Sequence, residues 1–127
     1  MGPKDLNPVS LSFVGDAIYS LKIREYYIRC GYRQGNVLQK LTKRYVSADG
    51  QKRVFERLQK NDFLTEQEME VFRNGRNHIT HIPKNASRLS YEIATGLEAL
   101  CGYLYLFDKE RCEELFTEIL KGGEENE

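Results

Sequence analysis

The chain has 127 residues, enough for one domain with a core of its own, and its 40% apolar and 30% charged residues are ordinary for a soluble globular protein. No apolar run approaches the length of a membrane span, and the N-terminus has no apolar leader segment, so we expect a cytoplasmic protein with no membrane partner. A net charge of zero argues by itself against a nucleic-acid-binding protein. The three cysteines have no CxxC spacing and each lies in or beside an apolar helical stretch, so we expect three buried free thiols rather than disulfides or metal ligands.

Helical periodicity and capping residues predict an all-α domain over residues 1–121, followed by a frayed acidic tail over residues 122–127. Asn7 and Pro8 suit the N-cap and first turn of the first helix, and Gly31 suits its end. Thr65-Glu66-Gln67-Glu68 fits a capping box at the start of the fourth helix. The predicted helices span residues 8–30, 37–45, 47–59, 65 to about 75, 87–107 and 109–121, with a loop over residues 74–86.

Basic and acidic residues are sorted along the chain. Residues 22–60 carry eleven Lys/Arg against three acids, and residues 73–92 carry four against one. The compensating acids lie in residues 61–72 and 108–127. A basic face can therefore exist on a molecule without net charge, although each single segment also fits an ordinary solvated helix face.

Two of the predicted helices each carry one acid among small and apolar residues: Asp16 in SFVGDAIYSL and Glu98 in ATGLEALCGYLYLF. A buried carboxylate is costly unless it is paired, and the helix-interior glycines Gly15 and Gly102 predict a close approach of helices or of a ligand backbone. Three interpretations are open. The acids find separate donors, they share a proton, or they share a divalent cation.

The stretch SFVGDA, residues 12–17, resembles the signature of the ribonuclease III family, E-x-x-E-F-L-G-D-A-V. The stretch ATGLEALCGYLYL, residues 94–106, is similar to the second acidic helix of that family, A-D-T-F-E-A-L-I-G-A-I-Y-L. The motifs occur in family order, and the chain leaves no room for the family's double-stranded-RNA-binding module. Together with the basic loop between the motifs, this resembles the compact Mini-ribonuclease III branch. The resemblance implies a compact multi-helix ribonuclease III catalytic-domain fold that forms a homodimer.

The resemblance also implies a metal-dependent endoribonuclease that hydrolyses phosphodiester bonds of double-stranded RNA, with ribosomal RNA precursors as the substrate. Asp16 and Glu98 match two family acids that bind the catalytic metal, here Mg²⁺ with Mn²⁺ as a substitute. Val9, Ser12 and Thr95 stand where the family has further acids, so we expect one firmly held ion. The hydroxyl groups of Ser12 and Thr95 either position its waters or bond back to helix carbonyl groups.

Duplex RNA is recognised by shape, through phosphates and 2′-hydroxyls, and this requires spaced cations rather than a base code. The candidate contacts lie in and around the loop before the second acidic helix: Arg73, Arg76, Asn77 and Lys84. His78 and His81 belong to the same loop. We interpret them as exposed loop residues near the RNA rather than as catalytic bases or metal ligands.

The family cuts both strands by pairing two catalytic centres, and the resemblance implies a dimer interface around Phe13, Val14 and Ile18. Two other functions are compatible with the sequence. The missing family acids allow a non-catalytic dimer that binds double-stranded RNA. An all-helical scaffold protein is the other alternative, in which Asp16 and Glu98 form separate structural ion pairs.

Overall fold

Six α-helices and no strand make up the described part of the chain, so the predicted all-α class is confirmed. The structure is a computed structural model that describes residues 5–79, 81–84 and 87–125, with side chains up to Lys121. The helices are α1 (Pro8–Arg29), α2 (Gly35–Val46), α3 (Ala48–Lys60), α4 (Glu66–Arg76), α5 (Arg88–Phe107) and α6 (Lys109–Glu125). None of these described helices combines the length and the apolar composition that crossing a membrane requires.

Local capping explains where α1 and α4 begin and where α1 ends. The Asn7 side chain accepts a hydrogen bond from the backbone N–H of Ser10 at 2.8 Å, with Pro8 as the first residue of α1. Beyond α1, Gly31 adopts a φ of +104°, a left-handed conformation that glycine reaches without a steric penalty. Thr65 and Glu68 form the capping box of α4 in both directions. All three predictions are confirmed.

Two predicted helix ends were wrong. The loop was predicted to begin at residue 74, but α4 continues to Arg76, because Gly75 packs against Ala99 and Gly96 of α5 with no room for a side chain between them. The last helix was predicted to close at Gly122-Gly123, but α6 continues to Glu125. A glycine weakens a helix by about 1 kcal/mol yet keeps its N–H donor, so two glycines do not have to end one. The predicted tail at residues 126–127 lies outside the described residues.

Helix α5 is central and packs against α1, α3, α4 and α6. Its apolar side chains form the main core with those of the surrounding helices, including Leu97, Leu100 and Leu104. A smaller cluster joins α3, α4 and α5, where the rings of Phe55 and Phe72 stack with centroids 3.8 Å apart. Because α5 touches both α1 and α3, residues from three helices can meet around its middle.

The three cysteines are free thiols, as the sequence predicted. Cys101 and Cys112 are buried, and burial raises the pKa of both thiols. Cys30 is exposed at the end of α1, so the expectation that all three are buried was wrong. The neutral, buried pair behaves as part of the core.

Candidate active site

The backbones of α1 and α5 touch where the helices cross. A Cβ atom at Gly15 would collide with the backbone carbonyl of Glu98, and one at Gly102 would collide with the backbone carbonyl of Leu11. Only hydrogen atoms fit at these two positions, so the glycines that weaken each helix allow the crossing. The predicted close approach therefore occurs between helices of this chain.

This crossing brings the carboxyl groups of Asp16 and Glu98 together, although 82 positions separate them in the sequence. Burial is the main cause that raises the pKa of Glu98 to about 8, and the charge of Asp16 and a hydrogen bond between the two carboxyl groups raise it further. A hydrogen bond from Gln51 opposes the increase. The meeting of the acids is what a shared proton or a shared cation requires. Separate pairing of each acid with its own donor does not account for it.

The two acids differ in exposure. Glu98 is half-buried, whereas Asp16 is exposed in the single chain. The expectation that Asp16 is deeply buried was wrong, because its position on α1 points away from the main core and toward a surface cavity. The desolvation cost therefore falls mainly on Glu98.

Sequence reasoning missed Gln51, a residue of α3 that contacts Glu98. Its side-chain nitrogen Nε2 donates hydrogen bonds to Oε2 of Glu98 at 3.1 Å and to the carbonyl of Val46 at 3.2 Å. The residue is 3% exposed. It stands at helical spacing from Val54, Phe55 and Leu58, which form the buried stripe of α3. A polar residue in an otherwise apolar stripe is the signal that could have revealed it.

A cavity of about 250 Å³ opens beside the two carboxyl groups and is lined by both acids and by Ser12 and Thr95. The hydroxyl of Ser12 donates to the carbonyl of Val9 at 3.1 Å, and that of Thr95 donates to the carbonyl of Tyr91 at 2.9 Å. Both side chains therefore bond back to their own helices, one of the two predicted alternatives. Each oxygen keeps lone pairs that can accept a hydrogen bond from water in the cavity.

His78 and His81 are exposed, as predicted, but both line this cavity, which the sequence did not indicate. The ring nitrogen Nδ1 of His78 lies 2.6 Å from the carbonyl of Asn74, and because a carbonyl only accepts, Nδ1 carries the proton. This fixes the imidazole and leaves Nε2 for another partner. Among the described residues, no three His, Cys, Asp or Glu side chains are grouped closely enough to hold a metal ion.

The Ribonuclease III domain family matches residues 9–109, a stretch that includes both acids and both glycines of the crossing. The chain belongs to the ribonuclease III family. It is 42% identical to the Mini-ribonuclease 3 of Enterococcus faecalis over 127 residues, which cover 98% of this chain and 96% of that protein. It is 39% identical to the Mini-ribonuclease 3 of Streptococcus pneumoniae, over 88% of this chain and 89% of that protein.

A solved structure has the same fold. The crystal structure of protein FN1578 from Fusobacterium nucleatum superposes with a TM-score of 0.80 at 33% identity, covering 94% of this chain and 95% of that one. The resemblance drawn from the two motifs is thereby confirmed, both for the ribonuclease III family and for its Mini-ribonuclease branch.

The predicted RNA contacts of this ribonuclease III domain lie at the end of α4 and in the segment that follows it. Arg73 and Arg76 belong to the last turn of α4, Asn77 is its C-cap, and Lys84 is exposed in the loop. Both arginines form ion pairs at the surface: Arg73 with Glu66 at 3.1 Å and Arg76 with Glu92 at 3.7 Å. The Arg73–Glu66 pair is exposed and contributes little free energy, whereas the side chain of Glu92 is only 19% exposed.

The predicted interface residues separate into two groups. Phe13 is 80% exposed and lines the cavity beside Asp16, and Val14 is partly exposed. Ile18 is 7% exposed and belongs to the main core of the single chain, so it offers little surface to a second copy. Phe13 and Ile18 are five residues apart, about 140° around the helix, and they cannot share one face.

Proposed function

We propose that this member of the ribonuclease III family is a Mg²⁺-dependent endoribonuclease that hydrolyses double-stranded RNA as a homodimer. The observation that carries the proposal is the meeting of the Asp16 and Glu98 carboxyl groups at the edge of an open cavity. Family membership supports the endoribonuclease activity. The substrates in this proposal are ribosomal RNA precursors in the cytoplasm, the role that the family resemblance implies.

The donor atoms at the crossing suit a hard divalent cation. Mg²⁺ and Mn²⁺ prefer carboxylate and water oxygens, and proteins often hold Mg²⁺ with one or two carboxylates. The high pKa of Glu98 reflects burial together with a second acid, and a divalent cation removes the repulsion between the two charges. When bound, Mg²⁺ supplies Lewis-acid polarisation of the phosphate and lowers the pKa of a water molecule.

The protein groups have separate tasks in this proposal. Asp16 and Glu98 hold the cation, and the amide of Gln51 donates a hydrogen bond to Glu98. The oxygens of Ser12 and Thr95 accept hydrogen bonds from water in the cavity, because their own protons are already donated to helix carbonyls. The chain thus supplies the ligands and orients the nucleophilic water, with no covalent intermediate on a side chain.

The charged segment after α4 is proposed to hold the RNA backbone. Arg73, Arg76 and Lys84 offer phosphate contacts, and Asn77 offers a contact to a 2′-hydroxyl. The same segment leads to His78 and His81 at the cavity, so a strand bound there passes close to the two acids. Recognition by shape also agrees with the absence of a net positive charge, since only a local basic surface is needed.

A second copy of the chain is proposed to pack on Phe13 and Val14. An 80% exposed phenylalanine is unfavourable in water, and covering it would recover most of the free energy of burying its side chain. Because Phe13 lines the cavity, this interface would lie beside the catalytic centre. A mass measurement that finds a monomer at micromolar concentration would contradict the dimer.

The decisive experiment incubates a long RNA duplex with the metal-free protein and varies only the divalent ion. Cleavage is expected with Mg²⁺ or Mn²⁺ and not with chelator. Asp16→Asn and Glu98→Gln should each reduce the initial rate on the order of 10³-fold, since a bound cation contributes several kcal/mol to catalysis.

Matched controls are Asp62→Asn and Glu110→Gln, which make the same chemical changes at exposed positions outside the site. Asparagine tolerates the φ of +52° at position 62 as aspartate does. A protein that binds the duplex but cuts nothing with either ion would instead be the non-catalytic binding dimer. Wild-type rates in both acid variants would rule out these residues as the metal ligands.

A further inference from the structure

We propose that Gln51 is a positioning residue of the cation site, whose amide holds one oxygen of Glu98 and leaves the other oxygen for the cation. The inference rests on the proposed function, because it assigns a role toward the cation that Asp16 and Glu98 bind. Its observations are geometric and independent of the family motifs: the contacts, burial and orientation of one side chain on α3.

A tight connection between α2 and α3 fixes the backbone of Gln51. The hydroxyl of Ser47 caps α3 by accepting from the N–H of Gly50 at 3.0 Å. A Cβ atom at Gly50 would collide with the carbonyl of Arg44, so the chain is closely packed at this turn. Gln51 follows directly, and its side chain is 3% exposed. Its amide therefore has little freedom to turn elsewhere.

The hydrogen-bond partners fix which end of the amide faces Glu98. The carbonyl of Val46 can only accept a hydrogen bond, so the NH₂ group of Gln51 must face it, and the same nitrogen donates to Oε2 of Glu98. The amide oxygen Oε1 then points away, and it is buried with no hydrogen-bond partner among the described residues. A buried acceptor without a partner is unfavourable. The fold tolerates this cost at a position where the neighbouring residues of the stripe are apolar.

Contact with Glu98 explains why a glutamine occupies this position. A residue that only fills the core would be apolar, as Val54, Phe55 and Leu58 are along the same stripe. Gln51 instead donates to Oε2 of Glu98, and the other neighbour of this carboxyl group is Asp16, on the side of the cavity. A carboxylate anchored through one oxygen presents the other in a fixed direction. Groups that orient a metal ligand in this way commonly change metal affinity 10- to 100-fold when they are removed.

Metal affinity is measured without RNA, from the melting temperature of the metal-free protein as Mg²⁺ or Mn²⁺ is added. In Gln51→Met, which keeps the side-chain length and loses both donors, the half-saturating concentration is expected to rise about 10-fold. The matched control is Gln67→Met, which removes a hydrogen bond from an exposed glutamine to the hydroxyl of Tyr103. The control should keep the wild-type half-saturation. A half-saturating concentration in Gln51→Met equal to that of wild type would overturn the inference.

A second measurement uses the unaltered protein and does not depend on how a variant folds. In side-chain amide NMR spectra, the Gln51 resonances are expected to shift with the same half-saturation as the melting temperature, while those of Gln67 stay in place. If the Gln51 resonances do not shift when the ion is added, the inference is overturned. A wild-type protein whose melting temperature does not respond to either ion would instead overturn the proposed function, so the two failures are distinguishable.

Discussion

Two glutamates of this protein, the buried Glu68 on α4 and the half-buried Glu98 on α5, have opposite surroundings. Glu68 accepts hydrogen bonds from the guanidinium of Arg111 at 2.7 and 2.8 Å and from the N–H of Thr65 at 2.9 Å. Burial alone would raise its pKa, but these donors outweigh burial and lower it. Glu98 has one neutral donor, Gln51, and an acid, Asp16, as its neighbours.

In the proposed function, this difference separates a structural carboxylate, Glu68, from a ligand of the cation, Glu98. The charge of Glu68 is neutralised within the chain, and its contacts join the start of α4 to α6. The charge of Glu98 is not neutralised by any cation among the described residues, and it faces a cavity. Folding alone would favour a neutral residue at position 98. The proposed cation would explain why a carboxylate is kept there at a cost in stability.

The largest effect is expected from Gly15→Ala, which breaks the crossing that brings Asp16 to Glu98. Its methyl group would collide with the backbone of Glu98, and a backbone cannot move aside as a side chain can. The free energy of unfolding should fall by more than about 4 kcal/mol, and cleavage should be lost. Gly35→Ala is the control, because no atom lies near a Cβ at that position. This variant should leave the free energy of unfolding unchanged or raise it by up to about 1 kcal/mol. Denaturant unfolding measures both, and a wild-type stability in Gly15→Ala would contradict the backbone contact.

Breaking the other carboxylate site should reduce stability without removing the catalytic groups. Arg111→Met leaves Glu68 buried without its cation, and this is expected to cost about 3–4 kcal/mol. Cleavage per folded molecule should remain within about threefold of wild type when it is measured well below the melting temperature. Thermal unfolding measures the expected loss of stability, and initial rates on an RNA duplex measure the expected retention of cleavage. A loss of activity that matches that of Glu98→Gln would mean that the two sites are not independent.

The pH dependence of stability should have opposite signs at the two glutamates. In the metal-free protein, Glu98 has a pKa of about 8 against 4.5 for an ordinary glutamate, so the folded state holds a proton that the unfolded state releases. Its contribution to stability therefore falls as pH rises from about 4.5 to about 8, by at most about 5 kcal/mol. The pKa of Glu68 is lowered, so its contribution is present above about 4.5 and is lost as the pH falls further.

Single variants isolate these two contributions in denaturant titrations at several pH values. Glu98→Gln should remove the decline between pH 5 and pH 8 and should be more stable than wild type at pH 8 without metal. Glu68→Gln should be less stable than wild type at pH 7, and the difference in the free energy of unfolding should become smaller in acid. A decline with pH that persists unchanged in Glu98→Gln would contradict the raised pKa of this group.

The sequence predicted the fold well because helix boundaries are local. Asn7 and Pro8, Gly31, and the Thr65–Glu68 capping box each specify an end within a few residues, and the structure confirms them. The glycines predicted a close approach of backbones, and the meeting of Asp16 and Glu98 was implied by the family resemblance among three interpretations that the residues left open. The buried stripe of α3 could have drawn attention to Gln51, but a sequence pattern does not show that α3 reaches the crossing and places this side chain against Glu98.

The wrong predictions concern which side of a helix faces the core. Helix α1 is apolar on several sides, so its pattern did not distinguish Ile18, which is buried, from Phe13, which is exposed. The exposure of Asp16 was not predicted for the same reason, because its neighbours on α1 are apolar on several sides of the helix. His78 and His81 reach the cavity through the path of a loop, and a loop without periodicity carries no signal of its direction.

The smallest expected effect is the stabilisation by Mg²⁺ itself, and it distinguishes the surroundings of Glu98 from those of Glu68 most directly. A ligand that binds only the folded state, present at a concentration ten times its dissociation constant, raises the free energy of unfolding by about 1.4 kcal/mol. This increment should appear in wild type and in Glu68→Gln and be absent from Asp16→Asn and Glu98→Gln. It should also be larger at pH 8 than at pH 6, because the cation and the proton compete for Glu98 and a pKa of about 8 favours the proton in acid. An equal increment in all four proteins would place the cation elsewhere and leave the charge of Glu98 without its partner.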